Sequence, residues 1–150
     1  MLADDHALIR EGIRQLLESD ENIEVVAEAG DGDECLKKLT MYKPQILLLD
    51  INMPKKSGIE VLEIIRNSNI DVRVLILTVH DEIEYLIKVI DIGVDGYILK
   101  NSEFCELKKA IMSIVEGDNY IQKKLIPVLN KRLVSREEDK LKLDSLTNRE

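Results

Sequence analysis

The sequence predicts an α/β protein, an open, doubly wound parallel sheet with helices on both faces. Short apolar or β-branched runs alternate along the chain with segments of helical period, the signature of βα units. Runs such as Ile46–Leu49 and Tyr97–Leu99 are apolar throughout, as strands buried on both faces must be. A chain of 150 residues, 45% hydrophobic and 33% charged, is long enough for one such domain and too apolar to be wholly disordered.

The elements follow in order. Leu2-Ala3 ends the first strand, but only three residues precede Asp4 where a central strand needs about five, so this edge of the pattern is expected to weaken the sheet. Ile9, Ile13, Leu16 and Leu17 mark the first helix and Val25–Ala29 the second strand. Cys35, Leu36 and Leu39 mark a second helix, Ile46–Leu49 a strand, and Ile59, Val61, Leu62 and Ile65 a third helix. Val72–Leu77 is the fourth strand, followed by a helix through Leu86, Ile87, Val89 and Ile90. Tyr97–Leu99 is the fifth strand, and Leu107, Ala110, Ile111 and Ile114 close a (βα)5 unit. Beyond Gly117, Ile121, Leu125, Val128, Leu129 and Leu133 predict a helix over 120–134, started or interrupted at Pro127, and the charge run 135–140 reads as a solvated linker. At the end, Thr147 and Glu150 have capping-box spacing, a helix start with almost no helix after it.

Charge limits the partners. Residues 1–116 hold 13 basic against 23 acidic side chains, so this part would repel a phosphate backbone, whereas 117–150 hold 8 against 6. No apolar run reaches the roughly 18 residues of a membrane span, and the acidic start is unlike a secretory signal, which predicts a cytoplasmic protein that does not engage a membrane. Cys35 and Cys105 have neither zinc-site nor disulfide-framework spacing and are expected on apolar helix faces.

In a sheet of this kind the ligand site lies beyond the carboxyl ends of the strands. Those ends present Asp4 and Asp5, Asp50, Thr78 and Lys100. Singly, each has an ordinary reading: Asp4-Asp5 as a helix cap, Asp50 before Met53-Pro54 as a turn residue, Thr78 as an ordinary strand-end residue and Lys100 as one more lysine of a charged protein. Jointly they point to chemistry. Like charges about 4 Å apart repel by roughly 1 kcal/mol in water and about 4 kcal/mol at an effective dielectric of 20, so converging carboxylates need a cation. Oxygen donors with room for water suit Mg²⁺. A carboxylate left free could then attack phosphorus, with Lys100 and Thr78 meeting the phosphoryl oxygens.

These residues carry a resemblance. Asp4-Asp5, Asp50-Ile51-Asn52-Met53-Pro54 with Gly58, Leu77-Thr78 and Gly96-Tyr97-Ile98-Leu99-Lys100 resemble, over roughly residues 1–118, the receiver domain of bacterial two-component response regulators. The resemblance implies a flavodoxin-like sheet of order 2-1-3-4-5 with a C-terminal linker helix. It implies that Asp50 accepts phosphate from the phosphohistidine of a sensor histidine kinase. Mg²⁺ would be held by Asp5, Asp50 and the main-chain carbonyl of Asn52, with Asp4 acting largely through water. Thr78 and Lys100 would contact the phosphoryl group, and Tyr97 would be the switch aromatic together with Thr78. Such a domain is a signalling module that catalyses only its own phosphorylation and dephosphorylation.

Asp4–Gly12 and Leu146–Glu150 further resemble the subfamily with a LuxR-type helix-turn-helix output. The expected organisation is a receiver over 1–118, helix and linker over 119–145, and the first residues of a truncated DNA-binding domain over 146–150. DNA would be bound only through the missing output domain, and phosphorylation would alter a homodimer or release that domain. Two departures stand out: Val79 after Thr78 would narrow access to the site, and Asn101 replaces the proline that often follows the lysine. Asn52 and His80, two residues beyond Asp50 and Thr78, are expected to tune the phosphate lifetime, while His6 and His80 read as loop residues rather than ligands. A Mg²⁺-dependent phosphohydrolase is disfavoured because Asp50-Ile51-Asn52 lacks a second acid, and a nucleotide site because no glycine-rich phosphate loop is present. A receiver working as an unphosphorylated interaction module is the remaining alternative.

Overall fold

Successive side chains of a strand point to opposite faces, so continuously apolar runs must be covered twice. The computed structural model describes residues 1–147. Its strands are β1 (Leu2–Ala3), β2 (Glu28–Ala29), β3 (Ile46–Leu49), β4 (Arg73–Thr78), β5 (Gly96–Leu99) and β6 (Tyr120–Ile121). They form one parallel sheet in the order β2-β1-β3-β4-β5-β6. The helices are α1 (Ala7–Glu18), α2 (Gly32–Tyr42), α3 (Gly58–Asn67), α4 (Ile83–Ile92), α5 (Phe104–Val115) and α6 (Ile126–Thr147).

The alternation sorts the core into two layers. Ala3, Leu47, Leu49, Val74, Ile76, Tyr97 and Leu99 pack against α2, α3 and α4 through residues such as Leu39, Val61, Ile65 and Val89. Leu2, Leu48, Leu75, Leu77 and Ile98 pack on the other face against Leu17 of α1 and Leu107, Ile111 and Ile114 of α5. Each fully buried aliphatic side chain contributes about 1.5–3 kcal/mol. Local caps set the helix starts: the Asp31 carboxylate accepts from the Glu34 N–H at 2.8 Å, and the Ser57 hydroxyl accepts from the Glu60 N–H at 3.2 Å.

The first strand is as short as its sequence requires, and main-chain bonds continue past it. The Asp4 N–H donates to the Ala29 carbonyl and the Asp50 N–H to the Ala3 carbonyl, each at 3.0 Å. The ladder therefore holds both acidic residues at the sheet's carboxyl edge.

Several expectations change. β2 is confined to Glu28–Ala29 rather than the run from Val25. Tyr120–Ile121 forms a sixth strand beside β5 instead of the start of a helix, because the Tyr120 N–H finds the Asp95 carbonyl at 3.0 Å. A 3-10 turn over Lys123–Leu125 follows, and α6 begins at Ile126 with Pro127 in its first turn, where a missing N–H costs little. The charge run 135–140 lies inside α6, consistent with its strong helix formers and absence of glycine and proline. Leu125 and Leu129 bury on the α4 side of the core, and Arg136 Nη2 lies 3.4 Å from Asp91 Oδ2 of α4. Cys35 is buried, but Cys105 is exposed, not a core residue. The capping box ending at Glu150 lies outside the described residues. Among those described, no helix is long and apolar enough to cross a membrane.

Candidate functional site

Three strand ends build the site. Asp4 and Asp5 follow β1, Asp50 follows β3, and Lys100 follows β5, its N–H donating to the Thr78 carbonyl at 2.7 Å. Asp4 and Asp50 are buried, at 5% and 3% exposure, whereas Asp5 is exposed. Lys100 Nζ bridges the buried pair, 2.6 Å from Asp4 Oδ2 and 3.1 Å from Asp50 Oδ2.

Burial pushes the Asp50 carboxyl above its ordinary value, and the Lys100 ammonium beside it opposes that rise. Burial on its own would lower Lys100, but the hydrogen bonds it donates to Asp4 and Asp50, with their negative charge, outweigh it and hold the ammonium above its usual range. The lysine therefore stays charged and partly compensates the acids.

Asp4, Asp5 and Asp50, together with His6, place ligand atoms within 4.8 Å of one another. One ammonium among three carboxylates leaves net negative charge in a partly buried pocket, which favours a divalent cation. Asp4 is already engaged: its Oδ1 accepts the His6 N–H at 2.8 Å while Oδ2 faces Lys100. That leaves Asp5 and Asp50 as the better-placed side-chain donors.

The loop after β3 is shaped by a close approach. The Gly58 N–H donates to the Ile51 carbonyl at 2.7 Å, and a Cβ at position 58 would be driven into the Asp50 carbonyl oxygen. Gly58 is thus required by the backbone that presents Asp50.

Thr78 is fully buried at the end of β4, its hydroxyl oxygen accepting the His80 N–H at 3.2 Å. Tyr97 is also fully buried, and its hydroxyl donates to the His80 carbonyl at 2.7 Å. Burial raises the phenol well above its ordinary value, so it remains a donor. The Asn52 side chain turns to His80, with Nδ2 and Nε2 2.6 Å apart, and the His80 ring stacks obliquely on Tyr85 of α4 at 4.6 Å between centroids. His80 is therefore a junction between the Asp50 loop, Thr78, Tyr97 and α4, more than the loop residue its position suggests. Val79 is largely exposed. The described residues include no cis peptide bond, so Lys100–Asn101 is trans.

Three contributors escape sequence reading. His6 joins the acidic cluster; its adjacency to Asp4-Asp5 was the available signal. Arg10 Nη1 donates to the Asp4 carbonyl at 2.5 Å while its Nε lies 3.2 Å from Glu28, bracing the turn after β1. Gln122 is buried beyond β6: its side-chain oxygen accepts the Leu99 N–H at 3.0 Å and its own N–H donates to the Tyr97 carbonyl at 3.2 Å. Nothing local in the sequence marks that glutamine.

A doubly wound parallel sheet with an aspartate trio and a lysine at its carboxyl edge defines a receiver-type signalling domain, and the chain belongs to the response regulator receiver domain family, whose model matches residues 1–112. It is 39% identical over all 150 residues to a nitrate/nitrite response regulator protein homolog from Haemophilus influenzae, covering 70% of that protein. It is 40% identical over 136 residues to the oxygen regulatory protein NreC of Staphylococcus epidermidis, covering 90% of this chain and 62% of that one. Among solved structures it is similar to a LuxR-family two-component response regulator from Aurantimonas sp., with TM-score 0.84 and 34% identity over 89% of this chain and 96% of that one. The chain spans about 60–70% of the length of the first curated relatives it matches.

Proposed function

We propose that Asp50 accepts a phosphoryl group from the phosphohistidine of a sensor histidine kinase, in a Mg²⁺-dependent reaction that switches a DNA-binding transcriptional output. The observation that carries this reading is the Asp50 carboxylate itself, buried at a strand end, held by Lys100 at 3.1 Å and grouped with Asp4 and Asp5 within 4.8 Å. An Asp50 oxygen attacks phosphorus and forms an O–P bond. The P–N bond of the donor breaks, and the imidazole leaves with the electron pair and keeps its second nitrogen's proton. The product is an acyl phosphate.

The donor set fits a hard divalent cation: Asp5, Asp50 and the Asn52 carbonyl would hold it, with Asp4 acting through water because both its oxygens are already engaged. When bound, Mg²⁺ supplies charge neutralisation at the phosphoryl oxygens. Lys100 transfers its attention from the free Asp50 carboxylate to the phosphoryl group, gaining negative charge to pair with. The Thr78 hydroxyl proton is available for donation, since its oxygen accepts from the His80 N–H. Any turn of Thr78 loosens that bond, and His80 also anchors Tyr97, so the β4–α4 segment and the tyrosine are positioned to change together.

From β5 the connection runs into the linker. Gln122 grips the main chain at Tyr97 and Leu99 and leads through Leu125 into α6, the helix that would carry an output domain.

The test is intact mass after incubation with a small phosphodonor, with and without Mg²⁺. A Mg²⁺-dependent gain of one phosphoryl group, about 80 Da, that disappears in Asp50→Asn is the expected result. A folded protein that gains no mass with donor and Mg²⁺ in excess would refute the phosphoacceptor assignment.

A further inference from the structure

Resting on the reading of Asp5 and Asp50 as cation ligands, we propose that His6 is an additional, nitrogen ligand at this site and tilts its selectivity from Mg²⁺ toward borderline transition ions such as Co²⁺, Ni²⁺ and Zn²⁺. His6 Nδ1 lies 3.1 Å from Asp5 Oδ1 and 3.3 Å from Asp4 Oδ1. In an octahedral site with bonds of about 2.1–2.2 Å, adjacent ligand atoms stand roughly 3.0–3.1 Å apart and opposite ones about 4.2–4.4 Å. The His6–Asp5 contact has the length of an octahedral edge, Asp4 stays in the outer shell through water, and the ligand atoms of Asp5, His6 and Asp50 lie within 4.8 Å of one another.

The ring's polar contacts lie within this cluster, on Asp4 Oδ1 at 3.3 Å and Asp5 Oδ1 at 3.1 Å. His6 occupies the N-cap position of α1, yet its side chain makes no capping hydrogen bond. Its main-chain N–H is fixed on Asp4 Oδ1 at 2.8 Å, which holds the imidazole beside the carboxylates instead of leaving it to swing away. Phosphoryl transfer as described above makes no use of it.

The chemistry sets the direction of selectivity. Carboxylate and carbonyl oxygens already satisfy Mg²⁺, which keeps several waters and gains little from nitrogen. An imidazole strengthens binding of Co²⁺, Ni²⁺ and Zn²⁺, which follow the Irving–Williams order and accept mixed nitrogen and oxygen ligands. A transition ion would therefore displace Mg²⁺ at concentrations where an all-oxygen site would not release it.

Calorimetric titration of the 150-residue chain with MgCl₂ and with CoCl₂ near neutral pH tests this. The proteins are wild type, His6→Ala, His6→Gln and Asp5→Asn, with the visible absorption of bound Co²⁺ as a second readout. Both His6 variants are expected to weaken Co²⁺ by about tenfold or more, to change its absorption spectrum, and to alter Mg²⁺ affinity by less than about twofold. Unchanged Co²⁺ binding and spectrum in both variants, or equal losses for the two ions, would overturn the proposal. Asp5→Asn is expected to weaken both ions. If it weakens neither, the cation reading beneath the proposal is what fails.

Discussion

Lys100 is the one cation among the described residues that bridges the buried acids, and replacing it by methionine isolates what that bridge is worth. Its ammonium sits 2.6 Å from Asp4 and 3.1 Å from Asp50, with all three side chains less than a tenth exposed. At an effective dielectric of 20, the two contacts carry about 5–6 kcal/mol of attraction each before desolvation is subtracted. Removing one partner of a buried ion pair leaves uncompensated charge and costs about 3–5 kcal/mol. For a domain of this length that lowers the melting temperature by roughly 6–20 °C. The assay is thermal unfolding by circular dichroism in a chelator, on wild type, Lys100→Met, Asp50→Asn and the double variant. The double variant should recover part of the loss, because one of the stranded carboxylates is gone. Mg²⁺ should also stabilise Lys100→Met more than wild type, since it replaces a missing charge; saturation at a hundred times Kd contributes about 2.7 kcal/mol. A loss below about 0.5 kcal/mol, the scale of an exposed pair, would refute the claim that Lys100 is the counter-ion of this pocket.

Three further outcomes follow from the same geometry. Because burial raises Asp50, its ionisation weakens the fold: metal-free stability should fall as pH rises from the ordinary aspartate range through the raised value. Asp50→Asn should flatten that descent and be the more stable protein near neutrality, measured by urea unfolding across pH; a steeper descent in Asp50→Asn would contradict it. Gly58→Ala should cost about 2–3 kcal/mol and abolish the Mg²⁺-dependent stabilisation without touching a carboxylate, because the Asp50 main chain must move; calorimetric Mg²⁺ titration of the variant reads it. Gln122→Leu should cost about 1–3 kcal/mol by stranding the buried Leu99 N–H, and hydrogen exchange should show faster opening of β5 and of the start of α6 while phosphoryl uptake by Asp50 persists; unchanged exchange in both segments would remove Gln122 from the linkage.

How much of this was legible in the sequence differs residue by residue. Ile46–Leu49, and Val74–Leu77 within the strand read over Val72–Leu77, declare themselves as central strands because burial on two faces leaves no polar position to choose. The convergence of Asp4, Asp5, Asp50 and Lys100 is legible for a related reason: a doubly wound sheet gathers the carboxyl ends of its strands wherever the strand order holds. Tyr120–Ile121 was misread because two residues carry no period, and what makes them a strand is the free edge of β5. The charge run 135–140, read as a solvated linker, lies in α6 because its helix formers carry no breaker.

By itself, then, the sequence determined the layer architecture, the helix faces and the identities of the acids and the lysine, all of which depend on local period and on strand ends. Only the tertiary structure decided that Lys100 bridges Asp4 and Asp50, that His6 joins their cluster, that Asn52 and Tyr97 meet at His80, and that Gln122 fastens the linker to β5. Each of these, His6 apart, joins residues at least 17 positions apart in the chain, and each depends on sub-ångström placement of polar atoms. Hydrogen bonds and ion pairs are directional and short-ranged, whereas hydrophobic burial is neither, so a pattern of apolar residues can be read along the chain and a polar network cannot.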